Sequence, residues 1–359
     1  MHHNLLALGS MAICVGLVSM STPAPAAPAT TVVRPNARTA AQAEMTPEQL
    51  RAVRPMPWYQ PDKLPPATPE AAREPQAGSS GASPPGAPNP RADESAKREF
   101  PLGWRKQAFE PQPSPGNAME RAIDFGSANT YTPYDANNGA DRTLFPLRAI
   151  GLLTNNAGSC SASVISGRNI VVTAAHCCYT RGVGWQSNFR FYPAYRSGQH
   201  PTYGSFPWTS ARILTSWITR GARQDDVCLI SLGNNTAGRA VTYYTGWLGR
   251  QWDWPSIRSL HALGYPGNIG GGQTMQLCAA ESYSPSTACG GNTVLNMGCN
   301  MTYGASGGPW VNGYRGGNWV NSVVSGYDNT SCTGTFGQTF NGPRFTSANI
   351  ATLCTAQGC

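Results

Sequence analysis

From Phe145 to Cys359 the apolar residues arrive in short bursts, and this rhythm restricts the fold more than any other feature of the chain. The runs "FPLRAIGLLTNN", "CSASVISGRNIVVTAAHC", "DVCLISL", "HALGYPG", "TVLNMGCNMTYG" and "WVNSVVSGY" are rich in aliphatic and β-branched residues, and Gly, Asn and Ser turns cut them apart. Runs of that length between turn formers read as strands. A doubly wound α/β sheet needs amphipathic helices alternating with its strands, and no such alternation is present. Roughly 215 residues are therefore expected to form an all-β sandwich or barrel. The composition agrees: 40 glycines, 30 prolines and only 12% charged residues suit a loop-rich β protein.

The chain ahead of this region has a different character. Leu5 to Met20 is apolar without a charged side chain, and Ala24-Pro25-Ala26 follows as a small-residue cleavage site. Residues 1–26 are expected to be a secretory signal peptide rather than a membrane anchor, because the apolar run is too short for a span. Residues 27–118 are dominated by Pro, Ala, Gly and Ser. Such a segment buries too little apolar surface to offset its ordering entropy, so a largely disordered pro-segment or linker is expected. One island differs: in "MTPEQLRAVRPMPW" (45–58), Thr46 is an N-cap, Pro47 suits the first helical position and Gln49 completes a capping box. A short helix stopped by Pro55 is expected there.

Of the eleven cysteines, Cys14 lies in the signal peptide and ten fall between Cys160 and Cys359. An even number in an exported domain points to disulfides. No pair shows zinc-finger spacing with histidines nearby, and neither a metal nor another cofactor is expected. Residues 145–359 hold 13 arginines against 5 acids, which accounts for the whole net charge of +8. A basic surface can attract anionic polymers, but no arginine cluster interleaved with aromatics argues for nucleic acid.

Chemistry is concentrated in "YGASGGPW" (303–310), which places Ser306 on a glycine-rich turn. An α/β-hydrolase elbow, G-x-S-x-G, requires the order Ser, acid, His. The five histidines are His2, His3, His176, His200 and His261, and none follows Ser306. The elbow is excluded. The order His, Asp, Ser remains: His176 ends a β-branched run in "VVTAAHCC", and Asp226 opens the apolar run of "DDVCLISL". A serine hydroxyl needs a base to accept its proton, and a buried carboxylate can fix the base's tautomer. Asp225 competes with Asp226, and the D-[IV]-x-L register favours Asp226. His200 and His261 are weak candidates, one in a loop and one in a strand.

"TAAHC", "DVCLI" and "GASGGP" together resemble the three signature segments of chymotrypsin-fold (trypsin-like) serine peptidases over about residues 145–345. "FPLRAIGLL…SCSAS", "CNMTYGASGGPW", the proline-rich leader and "LRAVRPMP" resemble the secreted bacterial-type glutamyl endopeptidase branch. The resemblance implies two six-stranded β-barrels in residues 119–359 with the site between them. It implies His176 as general base and acid, Asp226 as its orienter and Ser306 as nucleophile, with the N–H groups of Gly304 and Ser306 as the oxyanion hole. Ser325 matches the serine that bonds the aspartate, and Gly326 and Tyr327 border the substrate. Among the cysteines, Cys160–Cys177 and Cys299–Cys332 match family bridges. Cys278–Cys289 and Cys354–Cys359 are expected as local loops, which leaves Cys178 for Cys228.

The chain also departs from that pattern. Ala305 stands where an aspartate is usual, so trypsin-style pairing with a new N-terminus is not expected. Activation is expected instead through removal of the pro-segment, with Arg121 and Arg142 as candidate sites. Asn300 stands six residues before Ser306 in place of the tryptic aspartate, and Val324 precedes Ser325 where glutamate-specific relatives carry a histidine. An apolar or small polar specificity residue is expected. The implied protein is a secreted, monomeric endopeptidase acting on protein or peptide substrates, with no membrane association after signal cleavage. An esterase on the same barrels and a catalytically silent binding protein are the alternatives.

Overall fold

The computed structural model describes residues 27–36, 44–57, 80–105, 132–135, 141–285, 291–328 and 339–359. The signal peptide expected in residues 1–26 therefore lies outside the described residues. Along the chain the strands are β1 (Thr30–Val33), β2 (Gly81–Ser83), β3 (Thr132–Asp135), β4 (Ile150–Asn155), β5 (Gly158–Ser166) and β6 (Ile170–Thr173). A short pair, β7 (Tyr179–Thr180) and β8 (Gly184–Trp185), precedes β9 (Arg190–Pro193), β10 (Phe206–Leu214) and β11 (Cys228–Leu232). The remainder are β12 (Gly249–Trp252), β13 (Arg258–Gly264), β14 (Gln276–Ser282), β15 (Val294–Met297), β16 (Pro309–Asn312), β17 (Trp319–Val323), β18 (Gly326–Asp328) and β19 (Thr339–Pro343).

Six strands close into a ring in the order β10-β11-β6-β5-β4-β9, sealed where Phe206 and Pro207 of β10 pair with Phe191 and Arg190 of β9. Closure leaves no unpaired edge among them. Ile150, Leu152, Val164, Val172, Phe191, Ile213 and Leu229 are fully buried in its core, which is what the β-branched runs of the sequence require.

The second half is assembled differently. Strands β2-β12-β17-β16-β13-β14-β3 make one sheet and β15-β19-β18 a smaller one. Tyr283 and Asn296 exchange backbone hydrogen bonds of 2.9 and 2.8 Å at one junction, and Ser325 N–H donates to Asn341 O (2.9 Å) at the other. The two sheets share an apolar cluster containing Leu260, Met297, Trp310, Val324 and Phe340.

The leader differs from its composition. Its described pieces are ordered because they use surfaces of the body rather than a core of their own. Strand β1 adds to β10 in antiparallel register, Thr30 opposite Leu214 and Val33 opposite Ala211. Strand β2 adds likewise to β12. Helix α1 (Pro47–Ala52) carries the expected capping box between Thr46 and Gln49 and buries Leu50. It ends at Val53, two residues before the proline. Helix α2 (Ala92–Glu99) is tied down by Arg148 to Asp93 and by Arg239 Nε to Glu99 at 2.7 Å.

Three bridges join the expected partners: Cys160–Cys177, Cys178–Cys228 and Cys354–Cys359. Two expected pairings are overturned, because Cys278 bonds Cys299 rather than Cys289, and Cys299 is therefore not joined to Cys332. The reason is topological. Cys278 on β14 and Cys299, two residues past β15, face the same apolar cluster, and the Tyr283–Asn296 pairing draws β15 against the end of β14. Their Cα atoms are 5.5 Å apart, well within bridging range. Cys289 and Cys332 lie outside the described residues.

Candidate active site

Pairing of β6 with β11 brings the histidine and aspartate segments together. Thr173 lies opposite Cys228, and the chain turns from β6 directly into the short helix α3 (Ala175–Cys178) that carries His176. Asp226 sits at the end of a 3₁₀ turn (Arg223–Asp225), immediately before β11. The Cys178–Cys228 bridge pins the two segments where they meet.

Asp226 is fully buried, and three donors converge on its carboxylate. Oδ1 accepts from His176 N–H at 2.8 Å, while Oδ2 lies 2.8 Å from His176 Nδ1 and accepts from Ser325 Oγ at 2.5 Å. A carboxylate held this way fixes the ring's orientation and favours the tautomer with the proton on Nδ1. Nε2 is then the free basic atom. Asp225 is oriented elsewhere: burial raises its pKa, opposed by a hydrogen bond from Ser216 and by Arg220.

Ser306 lies in the loop between β15 and β16, gripped from both sides. Its carbonyl accepts from Ser161 N–H of β5 (2.7 Å), and the next residue, Gly307, donates to Val324 O (2.8 Å). Gly304 has φ +87°, a left-handed conformation that glycine adopts without strain. The N–H groups of Ala305, Gly307 and Gly308 are all engaged within the fold. Among the described residues those of Gly304 and Ser306 donate to nothing. Likewise Ser306 Oγ and His176 Nε2 are buried, and neither has a hydrogen-bond partner among the described residues. Buried polar groups are ordinarily paired, and these four unengaged groups lie together on one loop and its neighbouring ring.

The loop also explains Ala305. Its side chain is buried in the apolar cluster, and a Cβ built on Gly264 would come within 3.1 Å of it. A carboxylate at this position would lie in that apolar cluster.

The remaining sequence candidates fall into two groups. Gly326 and Tyr327 lie on β18, directly after Ser325, with Gly326 opposite Asn341. Asn300 is half-buried, and its carbonyl accepts from Asn268 Nδ2 at 2.7 Å. His261 is remote from the cluster in bonding terms: it stacks on Tyr314 with ring centroids 4.8 Å apart, and burial lowers its pKa. His200 is a half-exposed loop residue. Arg142 donates to Ala194 O at 3.1 Å and to Thr202, so its side chain is anchored in the body.

Sequence reasoning missed two features of the site. Ser161 Oγ donates to Gly304 O (2.8 Å) and accepts from Tyr265 N–H (2.9 Å), bracing the loop from the opposite half of the molecule. Its place in "SCSAS", on the opposite face of β5 from Cys160 bridged to Cys177, is the hint the sequence carries. The second is an ion pair of Arg223 with the buried Asp328, which joins the turn before Asp226 to β18. Cys160, His176 and Cys177 offer three atoms within 4.8 Å of one another, but both sulfurs are bonded in a disulfide and the trio does not fit a metal.

No family model matches the chain, and no curated protein matches it by sequence. Solved structures do match. The protease Anisep from Arthrobacter nicotinovorans is 26% identical with a TM-score of 0.52, covering 60% of this chain and 99% of its own. The thermostable serine protease AL20 from an extremophilic microorganism is 26% identical with a TM-score of 0.51, covering 59% and 97%. A Glu endopeptidase is similar in fold alone, at 18% identity and a TM-score of 0.52 over 65% and 99%. The first two neighbours are proteases at 26% identity, and all three share the chymotrypsin-like fold with this chain.

Proposed function

We propose that this chain is a secreted serine endopeptidase in which His176, Asp226 and Ser306 form the catalytic triad. The observation that carries the reading is the convergence of three hydrogen-bond donors on buried Asp226, with Ser306 Oγ and His176 Nε2 left unengaged. In the first half-reaction His176 Nε2 takes the proton from Ser306 Oγ as the oxygen attacks the peptide carbonyl carbon. The developing oxyanion accepts from the N–H groups of Gly304 and Ser306; one such donor is worth roughly 3–4 kcal/mol in the transition state. His176 then protonates the departing amine, leaving an acyl group on Ser306. In the second half-reaction water attacks that acyl carbon with His176 again as base, and Ser306 is regenerated. Asp226 stabilises the imidazolium in both and keeps its own charge.

Substrate would lie along Gly326 and Tyr327, with the side chain preceding the scissile bond directed towards Asn300. Asn300 carries no charge, and Cys299, Met301, Val324 and Phe340 nearby belong to an apolar cluster. This supports an apolar or small polar residue at that position and gives no basis for tryptic or glutamyl specificity. Four disulfide bridges in the described body suit an oxidising, extracellular compartment. No helix among the described residues is long and apolar enough to cross a membrane.

The test is turnover of a quenched peptide library against simple esters by the wild-type chain and Ser306→Ala, each before and after limited proteolysis to release the leader. Endoproteolysis that Ser306→Ala loses supports the reading. Hydrolysis of esters only would favour an esterase, and turnover unaffected by Ser306→Ala would overturn the assignment.

A further inference from the structure

Resting on the peptidase reading, we infer that the leader segment Arg54–Met56 is an intramolecular plug, docked in a groove beside Ser306 and closing the site to extended substrates until it is displaced. Ser159 N–H donates to Arg54 O at 2.9 Å, and Met56 N–H donates to Ser159 O at 2.8 Å, forming a parallel bridge centred on Pro55. Ser159 lies two residues before Ser161, whose N–H holds the Ser306 carbonyl, on the face of the nucleophile loop opposite Val324 and Ser325. The leader thus occupies one flank of the loop, while the substrate strand β18 leaves from the other.

The groove is shaped for this chain. Cβ atoms built on three of its glycines would collide with the leader: Gly304 at 2.9 Å from Pro55 Cβ, Gly272 at 3.0 Å from Pro55 Cγ and Gly158 at 2.4 Å from Arg54 O. Pro55 therefore lies directly on Gly304, whose N–H is an oxyanion donor in the proposed mechanism. Met56 is 4% exposed. Its sulfur accepts from Asn155 Nδ2 at 3.0 Å and lies 3.8 Å from Cys160 Sγ, beside the bridge to Cys177, the neighbour of His176.

Upstream, α1 anchors the plug: Leu50 is fully buried, its carbonyl accepts from Gln273, and Arg51 reaches Gly198 O. The segment is not held as a substrate. Among the described residues no leader carbonyl accepts from Gly304 or Ser306 N–H, so no peptide bond of the plug is presented for attack. Being part of the same chain, the segment is presented to its groove at an effective concentration on the order of millimolar.

The test compares the full wild-type chain with full-chain Met56→Asp and Pro55→Gly. The first buries a charge where Met56 sits, and the second removes the ring that lies on Gly304. Two readouts are followed: the rate at which a fluorophosphonate labels Ser306, and hydrolysis of an extended peptide. A synthetic peptide of residues 45–57 is then added to Met56→Asp at about 1 mM, in the range of the tethered concentration, with a scrambled peptide as control. Labelling and hydrolysis at least tenfold faster in both variants, slowed again by the authentic peptide alone, is the expected result. A merely loosened fold would not be restored in trans. Equal rates in all three chains, with Ser306 labelled, would overturn the plug and leave the peptidase reading standing. Failure of Ser306 to label in any chain would overturn both.

Discussion

Asp226→Asn is the substitution whose outcome the structure specifies most fully. The carboxylate offers two oxygens to three donors, His176 N–H, His176 Nδ1–H and Ser325 Oγ–H, whereas an amide offers one oxygen and an NH₂ donor. With the amide oxygen at the Oδ2 position, NH₂ faces the His176 backbone N–H. A buried donor is then unpaired, at a cost of about 1–3 kcal/mol. With the oxygen at Oδ1, NH₂ faces the ring and Ser325. The imidazole then accepts at Nδ1 and carries its proton on Nε2, while the Ser325 hydroxyl rotates to accept. The second arrangement leaves only the Ser325 hydroxyl proton without its former acceptor, and it is the one expected. It leaves the fold nearly intact but removes the base, since Nε2 is now protonated. For a triad of this kind the loss is about 10⁴ in kcat. The assay is kcat on a fluorogenic peptide in the Met56→Asp background, where the leader is displaced, beside urea unfolding, with Asp225→Asn in parallel. The expected result is a folded Asp226→Asn chain depressed about 10⁴-fold, with Asp225→Asn within a few-fold of Met56→Asp alone. A folded Asp226→Asn chain within tenfold of Met56→Asp alone would refute the reasoning.

Three further outcomes follow from named contacts. Ser161→Ala leaves Gly304 O and Tyr265 N–H without their buried partner. A stability loss of about 1–3 kcal/mol in urea unfolding is expected, with a fall in kcat larger than any change in KM because the loop that holds the oxyanion donor loosens. Replacing Cys178 and Cys228 together by alanine opens a loop of 50 residues. On loop-closure entropy this costs about 4 kcal/mol, measurable as a lowered denaturation midpoint under non-reducing conditions. His261 has its pKa lowered by burial, so the unfolded chain binds a proton there more readily than the folded one. Its contribution to stability is complete above the unfolded value near 6.5 and is lost as pH falls below it. His261→Phe should therefore flatten the acid limb of a stability–pH profile below that value.

Much of the site was legible because its residues lie at strand ends whose apolar runs are unmistakable. "IVVTAAH" becomes β6 and α3, "DVCLISL" becomes β11, and their antiparallel pairing brings His176 and Asp226 together. Thr46, Pro47 and Gln49 announced α1 through local hydrogen bonding that depends on nothing distant. What escaped was non-local. The composition of residues 27–118 suggests no core, but the described pieces order themselves on strand edges and glycine grooves of the body. The Cys278–Cys299 bridge depends on how β14 and β15 meet, and spacing along the chain does not encode that. Ser161 is one small residue in an alternating strand, and only its contact with Gly304 across the two halves marks it.

The central claim is that Ser306 is a nucleophile activated by His176. Its most direct measurement is peptide mapping by mass spectrometry after fluorophosphonate treatment of the wild-type, Met56→Asp and His176→Ala chains. The account predicts a single adduct on Ser306 in the first two, slower in the wild type, and none above background in His176→Ala. An adduct on another serine, or labelling of Ser306 that persists undiminished without His176, would contradict it.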